Sequence, residues 1–218
     1  MRQPNVRIVA AEIIGTFIIV FLGTGSIMAN EATSGGIAHL GICIIWGFAV
    51  FLAIVVAERI GQGHFNPAVT IAVALKEKIS ASVILLRIAS QVIGALAAST
   101  LLRYALPTIT TLGQTLPNLP VWMVFLIETV ISFGLMATIE FSVLKKLKLT
   151  NAALIIGGYV ALAAFVAGPY TGASMNPART LGPAIVGGIM PALWLYMIAP
   201  SLGMVLAVSI IRQRSEIP

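Results

Sequence analysis

The sequence is poor in the residues that most enzymes and metalloproteins use. It contains no aspartate, one cysteine (Cys43) and two histidines (His39 and His64). A single cysteine excludes an intrachain disulfide, and we expect Cys43 to be a small, unreactive residue facing lipid or a neighbouring helix. His64 has no nearby cysteine or second histidine to complete a metal site, and Ser174 lacks the second glycine of a nucleophile elbow. The composition therefore predicts no catalytic residue, no metal and no cofactor.

Charged residues are also scarce. Only 9% of the chain is charged and 59% is hydrophobic, which indicates an integral membrane protein rather than a soluble domain. If the chain crosses the bilayer six times, nearly all lysines and arginines fall on one side of the bilayer. Arg103 alone falls at the ends of the spans on the opposite side. The basic residues on the common side are Arg2, Arg7, Arg59, Lys76, Lys78, Arg87, Lys145, Lys146, Lys148, Arg212 and Arg214. The positive-inside rule then predicts a multi-pass protein of the cell (inner) membrane with both termini in the cytoplasm. The basic residues that give the formal charge of +6 therefore orient the protein in the lipid bilayer. Because this role accounts for the charge, we expect no nucleic-acid partner.

Six apolar segments are long enough, or nearly so, to cross a bilayer, which takes about 20 residues. They run roughly over Arg7–Met28, His39–Ala57, Val83–Leu102, Val121–Val143, Ala152–Ala167 and Ala192–Ile211. The first could be a signal peptide, but Glu12 inside it and the repeat described below favour a retained helix. Gly157 and Gly158 in the fifth segment predict a close approach of neighbouring helices.

One tripeptide occurs twice between these segments. The two copies are Asn66-Pro67-Ala68 and Asn176-Pro177-Ala178. Asparagine is a strong N-cap and proline suits the first helical position, so each copy predicts the start of a helix. The apolar runs that follow, over 68–75 and 178–186, are too short to span a bilayer. Irregular backbone at membrane depth is tolerated only inside protein or beside a water-filled cavity, which predicts a pore.

The two halves of the chain repeat each other. Glu12 lies early in the first span and Glu128 early in the fourth, each followed by one short helix. Because each half holds three spans, the second copy must be inverted, as in many transport proteins. We therefore expect one membrane channel domain over residues 1–218, with inverted repeats at about 7–103 and 121–213. The carboxylates could carry protons, but their symmetric placement favours a role in binding loop N–H groups.

Arg179 is the most informative single residue. It follows Asn176 by three positions on the second short helix. An arginine within a membrane segment is costly and is a functional candidate, although an interfacial arginine could also reach the headgroups. In a pore, Arg179 would repel cations and donate hydrogen bonds to a solute.

The paired Asn-Pro-Ala segments, the arginine after the second copy and the glutamates of the first and fourth spans resemble the aquaporin (major intrinsic protein) family. The resemblance implies an all-α membrane protein with six transmembrane helices, two half-helices and an inverted repeat. It also implies a homotetramer with one pore per subunit, in which Asn66 and Asn176 donate hydrogen bonds at the pore centre. The implied selectivity filter consists of Trp46, Ala164, Ala173 and Arg179, with the backbone of His64 lining the pore.

Within the family, the run from Thr171 to Ala184 looks most like the nodulin-like intrinsic proteins and their bacterial relatives. Strict water channels usually have histidine where this chain has Ala164, and glycerol facilitators usually have aspartate where it has Thr180. The resemblance therefore implies a passive channel for water, glycerol and uncharged metalloid acids such as arsenous or boric acid, with exclusion of protons and ions. The alternative is a water-selective aquaporin. A proton-coupled transporter and a junction-type adhesion protein are the other hypotheses.

Overall fold

The computed structural model describes the backbone of residues 4–215 and the side chains of residues 5–211. This part of the chain folds into eight α-helices and contains no strand, so the predicted all-α class is confirmed. The helices are α1 (Pro4–Ala32), α2 (Ala38–Ala57), α3 (Pro67–Glu77), α4 (Ala81–Ala105), α5 (Val121–Leu144), α6 (Leu149–Thr171), α7 (Pro177–Gly187) and α8 (Leu193–Ser215). The predicted orientation signals at Arg2, Arg212 and Arg214 lie outside the residues whose side chains are described.

Six of these helices, α1, α2, α4, α5, α6 and α8, are long and apolar enough to cross a membrane. The other two, α3 and α7, have 11 residues each, which gives a length of about 16 Å and only half the thickness of a bilayer core. Several long helices extend beyond the apolar segments of the sequence. The helix α6, for example, begins three residues before the predicted segment and ends four residues after it, with Pro169 inside its last turn.

The packing of the helices follows the same scheme in both halves. α1 contacts α2 and α4, and α5 contacts α6 and α8 in the same manner. Each short helix packs against a long helix of the other half, α7 on α4 and α3 on α8. This exchange of the short helices is the inverted-repeat arrangement, and the residue limits of the repeats at 7–103 and 121–213 stay a prediction.

The contact between α2 and α6 joins the two halves through glycine. A Cβ atom on Gly47 would lie 2.6 Å from the carbonyl oxygen of Gly157, and one on Gly157 would lie 2.5 Å from the carbonyl oxygen of Gly47. The close approach expected at Gly157 is therefore present, whereas Gly158 faces open space. Cys43, on the same helix as Gly47, is buried among neighbouring helices.

Candidate functional site

A cavity of about 340 Å³ lies between the two halves of the protein. Seven of the residues singled out from the sequence line it: Trp46, His64, Asn66, Ala164, Ala173, Asn176 and Arg179. Much of the remaining wall is apolar and comes from α1, α2, α3, α5 and α6, including Ile19, Val50, Ile54, Val69, Val73, Leu135, Ile139 and Val160. The cavity thus combines a few polar groups with long stretches of hydrocarbon.

The two asparagines cap the short helices. The side-chain oxygen of Asn66 accepts a hydrogen bond from the backbone N–H of Ala68 at 2.9 Å, and that of Asn176 accepts one from Ala178 at 3.0 Å. Pro67 and Pro177 are the first helical residues, where a missing N–H has no cost. Ala68 and Ala178 are fully buried behind the cavity wall. The tripeptides therefore aim both helix N-termini at the cavity.

The side-chain amides of the asparagines also join the two halves. Asn66 Nδ2 donates to the carbonyl oxygen of Met175 at 2.8 Å, and Asn176 Nδ2 donates to that of Phe65 at 2.9 Å. Phe65 and Met175 accept these bonds in the left-handed backbone region, with φ of 55° and 50°. An amide nitrogen carries two hydrogens, so each asparagine keeps one N–H that can bind a solute.

Glu12 supports the loop in front of α3. Its carboxylate is fully buried and accepts hydrogen bonds from the backbone N–H groups of His64 at 2.9 Å and Phe65 at 2.7 Å. It also forms an ion pair with Arg87 at 2.6 Å and accepts a hydrogen bond from Gln91 Nε2 at 2.9 Å. Four donors therefore satisfy this carboxylate. In turn, Glu12 supplies the acceptors for two backbone N–H groups of the loop.

Glu128 has the equivalent position in the second half. It accepts hydrogen bonds from the backbone N–H groups of Ser174 at 2.9 Å and Met175 at 3.0 Å, and from the hydroxyl of Thr171 at 2.7 Å. No arginine or lysine forms an ion pair with it within the described residues. Tyr196 of α8 donates its hydroxyl hydrogen at 2.7 Å to the carbonyl oxygen of Thr171, the residue whose own hydroxyl binds Glu128.

Arg179 is buried in the first turn of α7 and reaches the cavity. Its Nη1 atom donates to the carbonyl oxygen of Gly113 at 3.1 Å and to the hydroxyl of Thr115 at 3.4 Å. Its guanidinium carbon lies 4.6 Å from the centroid of the Trp46 ring, which is a cation–π contact. The Nε atom is buried without a partner in the described part of the chain. The Nη2 atom is accessible and donates no hydrogen bond there, so it can donate to a solute.

A chain of hydroxyl groups continues behind Arg179. The hydroxyl of Thr115 lies 2.7 Å from that of Thr180, which lies 2.6 Å from the hydroxyl of Ser174. Ser174 in turn donates to the carbonyl oxygen of Asn176 at 3.1 Å. The connecting segment between the two halves is thereby tied to the start of α7, which orients the arginine.

His64 lies in the loop before α3. Its Nδ1 atom lies 3.1 Å from the hydroxyl of Thr70. Burial away from water, and secondarily the charge of Arg87, lower the pKa of His64 to about 3. The imidazole is therefore neutral at physiological pH and adds no charge to the cavity.

The far end of the cavity contains an ion pair between the two halves. Lys76 Nζ, in the last turn of α3, donates to Glu140 Oε2 of α5 at 2.7 Å. Glu58 and Glu77 line the same end. No group of three or more potential metal ligands occurs among the described residues.

Sequence reasoning missed several of these partners, among them Arg87, Glu140 and Thr115. Arg87 was interpreted as an orientation signal, whereas the structure buries it in an ion pair with Glu12. Glu140, which lies inside an apolar segment as Glu12 does, was overlooked although that position is itself a signal. Thr115, in the uncharged connection between the halves, has no sequence feature that links it to Arg179.

Several curated proteins are similar to this chain. It is 36% identical over 204 residues to aquaporin NIP1-1 of Oryza sativa subsp. japonica, covering 93% of this chain and 72% of the rice protein. It is 34% identical over 202 residues to nodulin-26 of Glycine max, covering 92% of this chain and 74% of the soybean protein.

A solved structure has the same fold. The X-ray structure of the aquaglyceroporin from Plasmodium falciparum superposes with a TM-score of 0.86 at 24% identity, covering 94% of this chain and 95% of the other. The family model of the major intrinsic proteins (MIP) matches residues 1–211. The two capped half-helices that meet at a shared cavity, the relatives and the family match agree: this chain belongs to the major intrinsic protein family.

Proposed function

We propose that this protein is a passive channel for small uncharged solutes, namely water, glycerol and uncharged metalloid acids such as arsenous or boric acid. One observation carries the proposal. Trp46, Ala164, Ala173 and Arg179 line the same cavity as the two asparagines, so hydrogen-bond donors lie beside apolar ring and methyl groups in this part of the cavity. Such a pathway suits a solute that has hydroxyl groups on one edge and carbon on the other.

The polar groups offset the loss of water from the solute. Leaving a hydroxyl group without a partner costs roughly 1–3 kcal/mol. Arg179 Nη2 and the second amide hydrogen of each asparagine are donors with no protein partner in the described residues. The ring of Trp46 offers an apolar face to the carbon edge of glycerol. A neutral solute can therefore enter at a modest cost in free energy.

Charged species meet a different environment. The N-termini of α3 and α7 both point at the cavity, and each carries about half a positive charge. Arg179 adds a full positive charge, and an arginine together with half-helix dipoles excludes protons and cations from channels of this type. We therefore propose that Arg179 and the two helix N-termini form the barrier to cations and protons.

The size of the residue at position 164 distinguishes the proposal from a water-selective channel. Ala164 and Ala173 contribute only methyl groups to the cavity beside Arg179 and Trp46. Ala164→His would fill this space and add a polar wall. We expect it to reduce glycerol and arsenous acid flux much more than water flux. Stopped-flow light scattering on proteoliposomes measures both.

Two controls make this experiment decisive. Asn151→His adds the same side chain to the same helix at an exposed position that does not line the cavity, and it should leave the ratio of glycerol to water flux unchanged. The oligomer content of every variant is checked by size-exclusion chromatography. If the wild type excludes glycerol while passing water quickly, the water-selective alternative is correct.

We also propose that the chain forms a homotetramer in the cell (inner) membrane with both termini in the cytoplasm. The long helices present many exposed apolar side chains, including Leu40, Ile44, Leu162 and Val166 on α2 and α6. These side chains suit contact with lipid or with other subunits. Cross-linking in membranes and protease accessibility of terminal tags test the two parts of this proposal.

A further inference from the structure

A second set of polar groups lies in the cavity away from the asparagines. Lys76 is in the last turn of α3, ten residues after Asn66. An α-helix rises 1.5 Å per residue, so Lys76 lies about 15 Å along the axis from the capped end of α3. Arg179, by contrast, lies in the first turn of α7. The cavity therefore has polar groups at two separated places, with apolar side chains such as Val69 and Val73 between them.

Lys76 and Glu140 reach towards each other from different helices. Lys76 Nζ donates to Glu140 Oε2 at 2.7 Å, and both residues line the cavity. α3 packs mainly on α8 and α4, whereas α5 packs mainly on α8 and α6. The pair thus joins two helices that share α8 as their main packing partner, and a solute that follows the cavity wall passes it.

Both side chains have hydrogen-bonding capacity left. A lysine ammonium group has three donors and a carboxylate has about four acceptor sites. In the described part of the chain, Lys76 uses one donor and Glu140 Oε1 accepts no hydrogen bond. The side chain of Glu140 is only 5% exposed and that of Lys76 is 32% exposed. The pair therefore offers a sheltered acceptor next to a partly exposed donor.

The pair is not part of the repeated framework. The two Asn-Pro-Ala segments align Lys76 with Val186, and the two helix carboxylates align Glu140 with Thr24. Thr24 donates its hydroxyl hydrogen to the carbonyl oxygen of Val20 in its own helix. Since the other half lacks an ion pair at this place, the fold does not require one, which indicates a role in the solute pathway.

We propose that Lys76 and Glu140 form a second binding site for small polyhydroxylated, uncharged solutes such as glycerol. The inference rests on the proposed function, because it assumes that such solutes pass the cavity. One hydroxyl group of the solute donates to Glu140 Oε1 and accepts from the Lys76 ammonium. Hydrogen bonds to charged groups are stronger than those between neutral groups. A polyol forms several of them at once and packs its carbon edge on Ile139, so the site favours polyols over single water molecules.

Neutralising either member of the pair tests this site in proteoliposomes. Glu140→Gln and Lys76→Met should each reduce glycerol permeability about tenfold, equivalent to about 1.4 kcal/mol, and change water permeability by less than about twofold. The exchanged variant Lys76→Glu/Glu140→Lys returns a donor and an acceptor and should restore glycerol flux. Lys145→Met is the matched control, because Lys145 is exposed just after α5 and does not line the cavity.

Each other outcome overturns the inference in a recognisable way. Faster flux of both solutes in the single variants would mean that the pair obstructs the cavity. An equal loss of glycerol and water flux, or no recovery in the exchanged variant, would mean that the pair only holds α3 to α5. A wild type that does not conduct glycerol defeats the proposed function, whereas a conducting wild type with unchanged single variants defeats only this site.

A measurement on the wild type covers the case in which the variants do not fold. Acetic anhydride acetylates exposed lysines, and mass spectrometry measures the rate at each site. Glycerol should slow the acetylation of Lys76 relative to Lys145 in the same sample, because bound glycerol occupies the Lys76 amine. If glycerol slows both lysines equally, no binding site exists at Lys76.

Discussion

Replacing Arg179 by valine separates the electrostatic barrier from the size of the pore. A cation that passes beside Arg179 would come to within about 5 Å of the guanidinium. At this distance and an effective dielectric constant of about 20, the repulsion is about 3 kcal/mol, or roughly a hundredfold in partitioning. Arg179→Val removes this term and leaves the dipoles of α3 and α7. We therefore expect sodium and proton leak to rise about tenfold to a hundredfold.

The substitution has a structural cost that the assay must separate from the leak. It deprives the carbonyl oxygen of Gly113 and the hydroxyl of Thr115 of a donor. Thr115 keeps its hydrogen bond to Thr180 at 2.7 Å. We expect a loss of about 1–3 kcal/mol in stability, which a folded channel of this size can tolerate.

Proteoliposomes loaded with a pH-sensitive dye measure the proton leak, and a sodium-sensitive dye measures the cation leak. Arg179→Lys keeps the positive charge and should keep both leaks low. Arg103→Val removes an exposed arginine from the last turn of α4 and serves as the matched control. Glycerol flux in Arg179→Val should equal or exceed that of the wild type. A folded variant that conducts glycerol without added leak would show that Arg179 is not the electrostatic barrier.

Two further predictions concern the carboxylates and pH. Glu12→Gln should destabilise the protein by about 3–5 kcal/mol in thermal unfolding and more than Glu128→Gln. Of the two carboxylates, only Glu12 forms an ion pair with a buried arginine, Arg87, which would keep only its hydrogen bond to the carbonyl oxygen of Gln62. Equal effects of the two substitutions would contradict this reasoning. Glycerol flux should be constant between pH 8 and pH 5, because burial and then the charge of Arg87 lower the pKa of His64 to about 3. Glycerol should never accumulate uphill in a pH gradient, because a passive channel takes no energy from protons. Accumulation driven by a pH gradient would instead favour the proton-coupled transporter.

Local signals in the sequence were sufficient to predict the short helices. Each has an asparagine N-cap and a proline at its first position, and these features act within a few residues of chain. The helices accordingly begin at Pro67 and Pro177. The predicted ends of the long helices were less accurate, because the run of apolar residues stops before the helix ends. Pro169 lies inside the last turn of α6, where hydropathy gives no reason to continue the helix.

Long-range partners could not be predicted from the sequence. Arg87 lies near the start of its apolar segment, as an orientation signal would, and its partner Glu12 is 75 positions away. The left-handed backbone at Phe65 and Met175 had no signal either, since neither residue is a glycine. Both features arise only when separate segments pack together. Seven residues that line the cavity were nevertheless singled out, because the paired motif and its arginine are specific to one architecture.

The crossed hydrogen bonds at the asparagines have a consequence for assembly. Asn66 donates to a carbonyl oxygen of the second half and Asn176 to one of the first. Neither half can complete its own loop, because the acceptor that orients each asparagine belongs to the other. The centre of the pathway therefore cannot form before both halves are in place. A chain released halfway through synthesis would contain an asparagine, a proline and a short helix, but no pathway.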